Sequence, residues 1–191
     1  MTPIFGQAWL TARAITGGLF LVSFTLVFVG ILMFGLRVFL HAPFGGRPGY
    51  YQCERLLIIS GFMGVALGLA GLTGLLRQAG DPLLSEIGLT AYAVGVVLLA
   101  VVEVSWLTEA RLPEQFIHTL LRLFVVASFV AQAVFGSALL ATGLLPGWLG
   151  WTTVIWNLAW CAVMLRAGDP YYPFMHLQLP LLAGILLLAS R

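Results

Sequence analysis

The sequence predicts an all-α fold, a polytopic transmembrane bundle of about six helices joined by short loops. Three observations lead there. Of 191 residues, 61% are hydrophobic and only 8% charged, and the mean hydropathy is +1.03, so there is too little polar surface to clothe a water-soluble globule. The apolar residues come in runs of about 20, the length that crosses a hydrocarbon core roughly 30 Å thick. Clusters of Gly, Pro and Asp separate the runs. In lipid, each backbone N–H and C=O must be satisfied within its own segment, which makes each run a helix. The alternating polar positions of a β-barrel wall are absent.

Taken in order, the first helix is expected near 14–39, the second near 55–76, the third near 83–107, the fourth near 114–142, the fifth near 148–165 and the sixth near 173–190. The first break carries Pro43, Gly45, Gly46, Pro48 and Gly49. The later breaks carry Gly80, Asp81 and Pro82; Arg111 and Pro113; Pro146 and Gly147; and Gly168, Asp169 and Pro170. Each is turn chemistry, and none leaves room for a soluble domain, so residues 1–191 read as a single membrane domain. Met1 to Arg13 lacks the basic start, short apolar core and cleavage site of a secretory signal, and the first helix is expected to be retained. Cys53 and Cys161 form neither a disulfide framework nor a CxxC metal site and read as free thiols.

Six crossings place both termini on one face, side A, with three inter-helix connections on the opposite face, side B. Arg13, Arg77 and Arg191 fall to side A, and the other six arginines to side B. The excess of basic residues near helix ends marks the cytoplasmic side, so side B is expected to be cytoplasmic and both termini non-cytoplasmic. The scattered arginines form no basic stripe, which speaks against nucleic acid as a partner. Gly61, Gly64, Gly68 and Gly71 on the second helix recur at helical spacing, a pattern that lets a neighbouring backbone approach closely.

Side B also holds most of the reactive chemistry. Glu103 lies about 6 Å and Arg122 about 12 Å inside it, on consecutive antiparallel helices. An unpaired charge at such a depth costs several kcal/mol, so the two are expected to pair or to face a wet cavity. Arg122 and His118 are four residues apart on one helix face, with Gln115 near the same stripe. With His176, these residues make up the candidate ligand site. The competing expectation is a helix-locking ion pair with interfacial side chains around it. His41, His118 and His176 could supply haem or metal ligands, but no HxxxH or HExxH spacing is present, and no resident metal or cofactor is expected. Nucleophile elbows, phosphate loops and paired-cysteine motifs are likewise absent.

The stretch Gly143-Leu144-Leu145-Pro146-Gly147-Trp148-Leu149-Gly150-Trp151 resembles a turn in small uncharacterised bacterial six-helix membrane proteins. The resemblance implies the same topology and a bacterial inner-membrane setting, and it assigns no catalytic residue. Three functions compete at this level. The first is a non-enzymatic accessory or assembly module that contacts other membrane subunits. The second is binding or transport of a small amphipathic molecule, such as a lipid or quinone, at the side-B cluster. The third is a membrane-embedded enzyme dependent on haem or metal. The bilayer itself is the partner common to all three.

Overall fold

The computed structural model describes residues 3–43, 45–108, 112–167 and 173–189. Every element among them is helical: α1 (Pro3–Val38), α2 (Pro48–Gln78), α3 (Leu84–Leu107), α4 (Glu114–Thr142), α5 (Gly147–Ala167), a 3-10 turn (Pro173–Leu177) and α6 (Gln178–Ala189). Five of these helices, α1 to α5, are long and apolar enough to cross a membrane. The sixth differs from expectation. Instead of one spanning helix near 173–190, the chain makes a five-residue 3-10 turn and a helix of 12 residues. Pro180 accounts for part of this, because a proline supplies no N–H and is tolerated only in the first turn of an α-helix. The α-helix therefore begins just before it.

Helix ends follow local chemistry. α2 begins at Pro48, earlier than the expected start near Arg55, with proline at its first turn, where a missing N–H removes no hydrogen bond. It closes at Gly80, whose φ of 102° is left-handed and allows the Asp81 amide to donate back to the Leu76 carbonyl at 2.9 Å. Asp81 then turns its carboxylate onto the start of α3, accepting from the Leu84 amide at 3.1 Å and the Ser85 amide at 2.7 Å. Those amides have no intrahelical partner of their own. Burial pushes the Asp81 carboxyl up, but the hydrogen bonds from Ser85 and Leu84 outweigh it and hold the group below its ordinary value.

Packing proceeds in chain order: α1 against α2, α2 against α3, α3 against α4 and α4 against α5, with α6 lying on α1. Small residues set how closely the helices approach. The faces of Gly61, Gly64, Gly68 and Gly71 all turn toward α1, where an added methyl would collide with Val27, Ser23, Phe20 and Thr16 in turn. A similar contact joins α4 to α5, where a methyl on Gly136 would run into the Gly150 carbonyl. Phe20, Phe62, Tyr92, Phe124, Phe129 and Phe135 fill the interior completely buried. The outward faces are also apolar, with Val22, Leu67, Val97 and Ile155 each more than half exposed. Large exposed apolar faces of this kind mark a surface that meets lipid or another protein.

Candidate functional site

The charged chemistry gathers where α1 ends, α2 begins and α3 ends. Glu54 and Arg55 are adjacent on α2, so their side chains leave the helix about 100° apart and reach different neighbours. Glu54 turns to α1, where Arg37 grips it in a two-pronged contact, Nε to Oε2 and Nη2 to Oε1, both at 2.7 Å. Arg55 turns to α3, with its Nη1 at 3.4 and 3.5 Å from the two carboxylate oxygens of Glu103. The Arg55 Nε also stands 3.5 Å from Glu54 Oε1. Glu54 and Glu103 are completely buried and Arg55 nearly so. Two guanidinium groups thus face two carboxylates, and the formal charges cancel.

Aromatic rings complete the enclosure. Arg55 stacks over Trp106 at 4.4 Å and lies 5.1 Å from the Tyr51 ring. Arg37 lies 5.0 Å from Tyr51 and 5.4 Å from Phe34. A desolvated cation over an aromatic face gains up to about 2 kcal/mol. That offsets a weakness in the cluster, because the Arg55–Glu103 contact is longer than the 2.7–2.9 Å typical of charge-assisted hydrogen bonds. The arrangement locks three helices together, as buried pairs do when each charge is answered.

The residues expected to form a site lie in different surroundings. Glu103 is buried in the cluster with Arg55 as its partner. Gln115, His118 and Arg122 do share a stripe on α4, but that stripe is exposed. His118 Nε2 lies 3.6 Å from Glu114, four residues earlier. His41 is exposed in the α1–α2 turn. Arg111 and Asp169, which the sequence sets in the breaks, lie outside the described residues. Among the described residues, no group of three His, Cys, Asp or Glu side chains comes together as a metal site.

His176 occupies a different place from the other two histidines. The sequence reading sets all three near side B, whereas His176 is 2% exposed in the middle of the bundle. It stacks on Phe129 at 4.1 Å and contacts Phe124 and Phe62 at 5.2 and 5.8 Å between ring centroids. Its Nδ1 is 3.1 Å from the Ser128 hydroxyl. Phe62 is the fifteenth of the 31 residues of α2, which puts the imidazole about 20 Å from either helix end. The 3-10 turn makes this possible by carrying the chain into the bundle, and the Trp156 indole secures it by donating to the Met175 carbonyl at 2.9 Å.

The sequence sets Arg37, Glu54 and Arg55 toward side B but does not bring them into the candidate site. The available signal was the Glu54-Arg55 pair. Adjacent opposite charges at a helix start leave the helix in different directions, and both can be answered only by two different neighbours.

Two depressions adjoin the cluster. A groove of about 450 Å³ runs along α3 beside Met63, Val96, Ala100, Val104 and Ser105 to Thr108 and Leu112, and its lining is almost wholly apolar. A second pocket, of about 350 Å³, is bounded by Tyr51, Ser105, Trp106, Leu112, Glu114 and Ile117, with polar and apolar surface in equal parts. Ser105 and Leu112 belong to both. The outer wall of the ion cluster, Tyr51 and Trp106, is thus one wall of the polar pocket. Comparison with family models, curated proteins and solved structures finds no match for this chain.

Proposed function

We propose that this chain is a multi-pass integral membrane protein that binds one amphipathic molecule, of the lipid or quinone class, at side B. The observation that carries the reading is the junction of the two depressions at Ser105 and Leu112, one apolar and one half polar. From Val96 to Thr108 the groove follows α3 for about 18 Å, close to the roughly 15 Å of one bilayer leaflet. A hydrocarbon chain would lie in the groove, and its head would rest against Tyr51, Trp106 and Glu114. Ligand sites combine mostly apolar walls with a few polar groups in this way. The ion cluster serves as the rigid wall of the head pocket, since its charges are already answered within the chain. Side B, with six of the nine arginines, faces the cytoplasm in this reading.

The test is purification in mild detergent followed by mass spectrometry of bound lipids and proteins. An amphipathic species retained by the native protein, and reduced about tenfold in Ala100→Trp, which fills the groove, supports the reading. Retention of a stoichiometric protein partner, with no such species and no effect of Ala100→Trp, replaces it with the accessory-module reading.

A further inference from the structure

At half depth the interior holds polar side chains that neither the ion cluster nor the groove uses. Gln132 on α4 is 1% exposed, and neither its Nε2 nor its Oε1 has a hydrogen-bond partner. Asn157 on α5 is completely buried; its Nδ2 donates to the Thr153 carbonyl at 2.8 Å, and its Oδ1 is unpartnered. The Thr153 hydroxyl is also buried without a partner, as are both amide atoms of Gln178 at the start of α6.

These groups belong to one level. α4 and α5 run antiparallel and approach closely at Gly136, where a methyl would meet the Gly150 carbonyl and the Val154 amide. One turn from Gly136 toward side B lies Gln132, and one turn from Val154 in the same direction lies Asn157, on facing stripes. A further turn along α4 brings Ser128, the partner of His176, and Gln178 follows His176 by two residues.

We infer that this level is an internal hydration site, in which ordered water held between α4, α5 and the start of α6 bridges the Gln132 amide to the Asn157 carbonyl. The chemistry selects the ligand. Side-chain amides offer donors and acceptors together but no charge. An ion would be buried without a counter-charge, at a cost of many kcal/mol, because no Asp, Glu, Lys or Arg among the described residues stands at this level. Water is the smallest solute that both donates and accepts, and buried waters make about three hydrogen bonds to otherwise unsatisfied groups. The site is separate from the side-B groove and does not depend on it.

Two measurements on the full chain in lipid nanodiscs test it. With the side-chain amides labelled with nitrogen-15, magnetisation transfer from water to the amides of Gln132 and Asn157 is expected, each signal being assigned by its loss in the Leu variant. Contact with acyl chains alone, and none with water, would overturn the site. In thermal unfolding, Gln132→Leu and Asn157→Leu each strand the remaining partner of the water, so each lowers Tm by about 2–4 °C, and the double variant loses less than the sum. A rise in Tm for both single variants also overturns the site, because removing an orphaned amide from a dry seam stabilises it. Where a Leu variant fails to fold, its side-chain amide is assigned in the native protein by correlation to its own backbone amide, and the water transfer decides.

Discussion

Two stretches of side B look alike in sequence and behave in opposite ways. Arg37, Glu54 and Arg55 together with Glu103 carry charges that the fold interlocks, whereas Gln115, His118 and Arg122 carry comparable polarity along an exposed stripe of α4. The difference lies in what each helix meets. The start of α2 is sandwiched between α1 and α3, so Glu54 and Arg55 must find partners there, and Arg37 and Glu103 answer them. On α4 the polar stripe falls on the exposed side of the helix, away from the buried face that Leu120, Leu121 and Phe124 turn inward. Polarity at one end of the bundle therefore does not say which charges interlock; packing on two sides does.

The largest expected effect comes from breaking the enclosed cluster. Glu103→Gln leaves the Arg55 guanidinium buried without its carboxylate and should destabilise the fold by about 3–5 kcal/mol, read from thermal or denaturant unfolding in detergent. A loss below about 1 kcal/mol would show that water reaches Arg55. Replacing both partners sharpens the contrast. Arg55→Met with Glu103→Leu should recover most of that loss, since apolar pairs of similar volume often equal a buried ion pair.

A smaller effect is expected at the opposite face. Asp81→Ala removes the acceptor from the first turn of α3 and should cost about 1 kcal/mol, the usual value of a lost helix cap. Because the Asp81 carboxyl is held below its ordinary value, its contribution is fully present above the unfolded value of about 3.9. It is lost as pH falls through the lower folded value. The difference in stability between the native protein and Asp81→Asn should therefore narrow below about pH 4; a constant difference down to pH 2 would refute the assignment.

The smallest effects belong to the exposed stripe. Gln115→Ala and His118→Ala should each change stability by no more than about 0.5 kcal/mol, as surface substitutions do. They should also leave the amphipathic ligand bound, since neither residue borders the groove or the head pocket. Loss of that ligand in either variant would return the stripe to the site.

Legibility divided along the same line. Five helices could be read from the sequence because each is a long apolar run, and an α-helix lets such a run satisfy its own backbone hydrogen bonds. The spacing of Gly61, Gly64, Gly68 and Gly71 named a packing face without naming its partner, which proved to be α1. The sixth segment misled because composition does not register a 3-10 turn, and Pro180 looked no different from other prolines in apolar surroundings. His176 misled for a related reason. Its distance from the end of the fifth helix suggested the interface, while the turn after it drew the imidazole to the middle of the bundle.

What the sequence determined by itself was the helical class, the segment order and the crowding of charge toward one face. These depend on local hydrogen bonding and hydropathy, which each segment carries alone. Only the tertiary structure decided that Glu103 meets Arg55, that α4 turns its polar stripe outward and that His176 lies among the rings of Phe62, Phe124 and Phe129. Each of those outcomes depends on which helix lies beside which, and rotating a single helix by 100° would exchange a buried charge for an exposed one without altering the sequence signal.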